Sequence, residues 1–92
     1  MAESFMENRR VLITGATSGI GEVSAYRLAD IGAEVIVVSR NEQKTRAVAE
    51  KILAKGQKAY PFVADLSSKT EIRRLSEEIH AKFDHLDVLL NN

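Results

Sequence analysis

Cysteine is missing from all 92 residues, which excludes a disulfide framework, a thiolate metal site and a cysteine nucleophile. The redox compartment stays open on that count. Neither sign of charge is in excess. Thirteen basic and thirteen acidic side chains cancel, so no broad basic face for nucleic acid is indicated. No stretch of about 18 apolar residues is present to cross a bilayer, and Met1 to Asn8 lacks the apolar centre of a signal peptide. The expectation is a soluble, cytoplasmic protein whose residues 1–8 form a flexible N-terminus. Solenoid repeats, low-complexity segments and linkers are also absent. A chain this short buries only about 60–65% of the surface its unfolded form exposes, so it holds one domain at most.

What the chain does contain is organised around Thr14-Gly15-Ala16-Thr17-Ser18-Gly19-Ile20-Gly21. This run follows the short apolar strand candidate Arg10-Val11-Leu12-Ile13 and precedes a helix-compatible segment, so its glycines sit where a strand turns into a helix. Without Cβ atoms the backbone turns tightly and approaches a bulky anion. Its N–H groups, with the positive end of the following helix, can then face a pyrophosphate. One helix terminus contributes about 0.3–1 kcal/mol toward a charge. The loop alone makes a site without making tight binding.

The rest of the sequence alternates in type. Residues Ile20 to Asp30 place Val23, Ala25, Leu28 and Ala29 at roughly helical spacing, with Ile31 just beyond and Gly32 where the helix would end. Glu34-Val35-Ile36-Val37-Val38-Ser39 is nearly continuous and β-branched, as in a strand covered on both faces. Asn41 can cap a helix over Glu42 to Lys55, whose Val48, Ala49, Ile52 and Leu53 form one stripe before Gly56. Lys58 to Val63 reads as a shorter strand, and Pro61 removes a backbone donor from it, favouring an outer place in a sheet. Ser68 and Glu71 have capping-box spacing, and Ile72, Leu75, Ile79 and Phe83 line one face of the next helix. Val88-Leu89-Leu90-Asn91 is a fourth strand. Strands alternating with helices argue for a parallel sheet. With right-handed crossovers the pattern predicts the first half of a Rossmann-like doubly wound α/β fold, strand order 3-2-1-4. The glycine loop would open into the crevice where that order reverses, and the third helix would lie on the opposite face from the first two.

Three linked motifs carry a family resemblance. Thr14-Gly15-x-x-x-Gly19-Ile20-Gly21 after the first strand, Asp65-Leu66 after the third and Asn91-Asn92 closing the fourth resemble the short-chain dehydrogenase/reductase family in order and spacing, from about Arg9 onward. Leu86-Asp87-Val88-Leu89-Leu90-Asn91-Asn92 looks like the lead-in to that family's Asn-Asn-Ala-Gly signature. The general look is similar to retinol- and steroid-dehydrogenase-like members. The resemblance implies a nicotinamide dinucleotide cofactor held by Gly15, Gly19 and Gly21, with hydroxyls and amides of Thr17 and Ser18 and the amide of Ile20 near phosphate. The Ile20 side chain is expected in the core. Thr14 would hydrogen-bond structurally near the cofactor. Asp65 would accept from the adenine amino group beside the Leu66 amide, and Asn91 and Asn92 would support the central strands and the ribose, unless they fray at the chain end.

The end of the second strand selects between cofactors. A chain favouring NAD carries an acidic residue there, about 20 residues past the first glycine, for the ribose hydroxyls; this one has Ser39 and Arg40. A guanidinium offers forked donors to a 2′-phosphate. At about 4 Å and an effective dielectric near 20 the charge pair is worth roughly 4 kcal/mol gross, cut by exposure and salt to about 1 kcal/mol. NADP(H) is therefore expected over NAD(H), with Asn41 as a helper. Glu42 argues mildly the other way, and a solvated loop arginine is the plain alternative for Arg40. His80 and His85 have no second ligand at metal spacing, and Arg73, Arg74, Glu77 and Glu78 read as a solvated helix face.

By the same resemblance the chemistry belongs to a Tyr-x-x-x-Lys pair and a Ser. Neither Tyr26, followed four places on by Asp30, nor Tyr60, followed by Ala64, offers that pattern. No catalytic residue is therefore assigned. The expectation is the cofactor-binding part of a longer oxidoreductase acting on a small carbonyl or alcohol, inactive as these residues alone. The fourth strand, internal in a larger sheet, would be an exposed apolar edge here, giving marginal stability and self-association. The alternative is a non-catalytic dinucleotide-binding or sensor module. A methyltransferase with a similar loop is weakened by the missing acidic residue after the second strand.

Overall fold

The computed structural model describes residues 6–92. Its elements run β1 (Arg10–Thr14), α1 (Gly19–Asp30), β2 (Glu34–Ser39), α2 (Glu42–Ala54), β3 (Ala59–Val63), α3 (Lys69–Lys82) and β4 (Val88–Asn91). All pairings are parallel and the order is β3-β2-β1-β4. The predicted topology holds, with Pro61 on the outer strand. Most of the N-terminal segment expected to be flexible, residues 1–5, lies outside the described residues. Within the remainder, Met6 packs against the core and donates its N–H to the Ile31 carbonyl at 2.6 Å.

The two central strands explain the sheet. Val11 and Ile13 of β1, with Val35 and Val37 of β2, point to the face covered by α1 and α2, where they meet Ala25, Ala29, Val48, Ala49 and Ile52. Leu12, Ile36 and Val38 point the other way, to Leu75 of α3 and to Phe83. Continuous apolar runs are what two covered faces require. Each such Val, Ile or Leu contributes up to about 1.5–3 kcal/mol by leaving water.

Several helix positions expected inside are not. Val23 is 51% exposed, Leu53 49% and Ile72 44%. Val23 and Leu53 sit on the flanks of their stripes, where the small residues Ala25, Ala29 and Ala49 bring the backbones close to the sheet. Ile72 borders an open groove beside α3.

At the N-terminal end of the sheet Arg10 joins three elements. Its guanidinium donates to Glu34 at 3.1 and 3.2 Å and to the His85 carbonyl at 2.9 Å, and it stacks over Phe83 at 4.5 Å. Its backbone N–H donates to Asp87 Oδ2 at 2.7 Å, while the Asp87 N–H donates to the Arg10 carbonyl at 2.9 Å. These bonds set β4 against β1 so that Asn91 lies opposite Thr14.

Candidate cofactor site

The site lies at the C-terminal ends of the strands. Gly15 and Gly19 take φ of +60° and +55°, which residues with a Cβ avoid, and this backbone turns β1 into α1. Gly21 is needed for a different reason. A Cβ there would run into the Gly15 carbonyl and the Asn92 side-chain amide. Around Gly19 a Cβ would meet nothing within 4 Å, so the loop is open there. Ser18 is the N-cap of α1, yet its hydroxyl makes no capping bond. No Ser18 side-chain bond therefore occupies the first-turn N–H groups, and unpaired N–H groups at a helix start are what an anion site uses.

Ile20 corrects one expectation: its side chain is 77% exposed. It occupies the first turn of α1, between two glycines, and the buried face of the helix runs through Gly21, Ala25 and Ala29. Thr17 turns toward the second strand, and its hydroxyl donates to Ser39 Oγ at 3.3 Å. Ser39 Oγ also accepts from the Asn41 N–H at 3.1 Å. The Asn41 side-chain oxygen is occupied with capping α2, accepting from the Lys44 N–H at 2.9 Å.

Between these loops lies a cleft of about 260 Å³, lined by Gly15, Thr17, Val38, Ser39, Arg40, Ala64 and Leu66. Val38 and Ala64 were not singled out in the sequence. The signal for them is positional, since each immediately precedes a residue that was, Ser39 and Asp65. Arg40 is exposed at the mouth of the cleft. The carboxylate that argued against a 2′-phosphate, Glu42, is drawn to Arg46 at 3.1 Å, one turn along α2.

Asp65 follows β3, and its carboxyl is held below the usual aspartate range by the Ser67 hydroxyl and N–H, with the Arg40 charge adding to the effect. Both Ser67 bonds, at 2.7 and 3.0 Å, fall on Oδ1. On the other wall the Thr14 hydroxyl donates to Asn91 Oδ1 at 3.0 Å and accepts from the Asn92 N–H at 3.2 Å. The Asn92 side chain donates to the Gly15 carbonyl at 3.0 Å. The two asparagines therefore brace the end of β1 and the glycine loop.

No activated tyrosine is found among the described residues. Tyr26 donates its hydroxyl to Glu22 at 2.7 Å, and burial together with that carboxylate pushes its pKa up to about 12. Tyr60 packs edge-on against Phe83. His85 contacts Asp84 at 2.8 Å and Asp87 at 3.2 Å at the far end of the sheet. No group of three or more His, Cys, Asp or Glu suited to a metal occurs among the described residues, and no helix there is long and apolar enough to cross a membrane.

The sequence pattern of the family described as short chain dehydrogenase matches residues 9–92. A fatty acyl-CoA reductase from Acinetobacter baylyi is 42% identical over 91 residues, covering 96% of this chain and 31% of that protein. A 3beta-hydroxysteroid dehydrogenase from Mediterraneibacter gnavus is 41% identical over 86 residues, covering 94% and 31%. Among solved structures, the Pseudomonas aeruginosa RhlG/NADP active-site complex superposes with a TM-score of 0.89 at 33% identity, covering 100% of this chain and 37% of that one. The chain spans about a third of the length of the curated relatives it matches.

Proposed function

The chain belongs to the short-chain dehydrogenase family, and from that premise we propose that these residues are the NADP(H)-binding part of an oxidoreductase acting on a small carbonyl or alcohol. The observation that carries the reading is the cleft between the glycine loop and β2, which has Arg40 at its mouth where a carboxylate would favour NAD. The residues fit the group: Gly21 cannot gain a Cβ without striking Gly15, while the space at Gly19 is open.

In this reading the first-turn N–H groups of α1, including that of Ile20, the Ser18 hydroxyl and the Thr17 N–H bind the pyrophosphate, while the Thr17 hydroxyl proton stays with Ser39. Arg40 and Ser39 bind the 2′-phosphate, with Asn41 contributing through its remaining side-chain N–H group. Asp65 offers Oδ2 to the adenine amino group, since Ser67 engages only Oδ1, and the Leu66 amide faces the ring. Thr14, Asn91 and Asn92 hold the ribose side of the loop in place. The cofactor supplies hydride chemistry; these residues bind and orient it and carry no acid or base for the substrate. The 92 residues alone are accordingly read as inactive toward substrate, and the bare edge of β4 as a strand that pairs with a second copy.

Calorimetry with NADPH and NADH tests the reading, with Arg40→Asp as the control. The expected result is tighter binding of NADPH, weakened about five- to tenfold by the substitution, with NADH binding unchanged or improved. An unchanged NADPH/NADH ratio in Arg40→Asp would remove the specificity assignment, and no binding of either by folded protein would remove the site.

A further inference from the structure

The capping box expected at α3 is made only in half. Ser68 Oγ accepts from the Glu71 N–H at 3.3 Å, as such a box requires. The Glu71 carboxylate, however, does not return to the Ser68 N–H, which donates to the Asp65 carbonyl at 3.1 Å. It reaches one loop further and accepts from the Asp65 N–H at 2.7 Å. One turn along α3, the Arg74 guanidinium donates to the Val63 carbonyl at 3.0 Å. Arg74 in turn lies 3.6 Å from Glu71 and 2.9 Å from Glu78.

These contacts converge on three consecutive residues. β3 is the outer strand, so backbone groups on its open side have no neighbouring strand to pair with. On the inner side the Ala64 N–H donates to the Ser39 carbonyl at 3.0 Å. On the open side Arg74 takes the carbonyl before Ala64, and Glu71 takes the N–H after it. Ala64 is 2% exposed and lines the cleft, as does Leu66. The position of the Ala64–Leu66 wall is thus fixed from outside by two charged side chains of a helix that touches the ligand nowhere in this reading.

Building on the cofactor assignment above, we propose that Glu71 and Arg74 are positioning residues for the adenosine side of the cleft. Each bond has one ionised partner and is strengthened by it, but the Glu71 contact is the shorter, 2.7 against 3.0 Å. Arg74 is exposed and shared between two carboxylates, so its part is smaller.

The decisive experiment measures binding of NADPH and of 2′,5′-ADP, which carries the adenosine and 2′-phosphate without nicotinamide, to the wild-type chain and to Glu71→Ala, Glu71→Gln, Arg74→Ala and Ser68→Ala. Melting curves report folding, and amide hydrogen exchange reports the Asp65 N–H. Glu71→Ala is expected to weaken both ligands about five- to tenfold and to speed exchange at Asp65, because a bond to a charged group is lost. Glu71→Gln keeps an acceptor oxygen and restores most of the affinity. Arg74→Ala costs about two- to threefold. Ser68→Ala removes the N-cap and lowers the melting temperature of the chain, yet leaves affinity near wild type.

Wild-type affinity and unchanged Asp65 exchange in folded Glu71→Ala would overturn the role. So would a Ser68→Ala variant that loses as much affinity as Glu71→Ala, since helix stability would then account for both. If Glu71→Ala does not fold, unchanged affinity in Arg74→Ala together with full loss in Glu71→Gln overturns it. Failure of the wild-type chain to bind 2′,5′-ADP would instead strike the cofactor reading itself, and this role with it.

Discussion

The two faces of the sheet are built from the same strands but finished differently. On one face, α1 and α2 close over Val11, Ile13, Val35 and Val37 with seven of their own residues buried between them, counting Gly21, Ala25 and Ala29 from α1 and Thr45, Val48, Ala49 and Ile52 from α2. On the other, α3 buries Leu75 alone among its residues. Beside it runs a groove of about 490 Å³ whose walls include Ile72, Leu75, Ile79, Leu86 and Leu89. The difference teaches that burial follows from which elements are present rather than from how apolar a segment is. β4 is as apolar as β1, yet all four of its residues are exposed, while Val11, Leu12 and Ile13 of β1 are at most 6% exposed.

Core truncations make the comparison quantitative. Ile52→Ala, on the closed face, should cost about 3–4 kcal/mol because its neighbours cannot collapse into the space. Leu75→Ala already borders the groove, and its cost should fall nearer 2 kcal/mol, the low end for such a change. Urea denaturation of both variants checks this, and equal losses would mean that the two faces are equally tight.

A smaller effect is expected at the β4 edge. Leu89→Lys changes a side chain that is 61% exposed, so stability should move by no more than about 0.5 kcal/mol. Self-association, followed by sedimentation or light scattering, should fall sharply because a charge on the edge opposes pairing. A monomeric wild-type chain would mean that the open face does not recruit a second copy.

The smallest effect is electrostatic and lies at the seam between the faces. The Asp87 carboxyl is held below its ordinary range, first by the Arg10 backbone N–H and then by the nearby His85 and Arg9 charges. A depressed carboxylate stabilises the fold above its unfolded-state value, about 3.9, and that contribution is lost as pH falls through the lower folded-state value. Stability should therefore decline in acid below about pH 4, and Asp87→Asn should flatten that part of the profile. A melting temperature with the same acid slope in both proteins would show that other carboxylates dominate.

Much of the fold was legible because its signals are local. The β-branched run gave β2 its observed bounds, Glu34–Ser39, and Asn41 caps α2 as its side chain and position suggested. The glycine loop was legible for the same reason: its turn is set by the φ of its own glycines, although Asn92 and Ser39, distant in sequence, hold it in place. What escaped were facts that depend on distant elements. Ile20 looks like a core residue until the buried face of α1 is seen to run through Gly21, Ala25 and Ala29 instead. Ile72 belongs to an apolar stripe, but the groove leaves it half covered by nothing. Glu71 sits at capping-box spacing from Ser68, yet its carboxylate bonds to Asp65, a choice set by how the β3–α3 loop folds back and not by spacing.

The paired bonds between Arg10 and Asp87 make β4 a ruler. Asp87 fixes its zero mark at the far end of the sheet, and the strand then measures four residues, about 13 Å at ordinary strand rise, to bring Asn91 beside Thr14. One residue added or removed between these marks would deliver the wrong side chain on the wrong face. The length of the strand, more than its composition, is what brings an amide from the end of the chain to the mouth of the glycine loop.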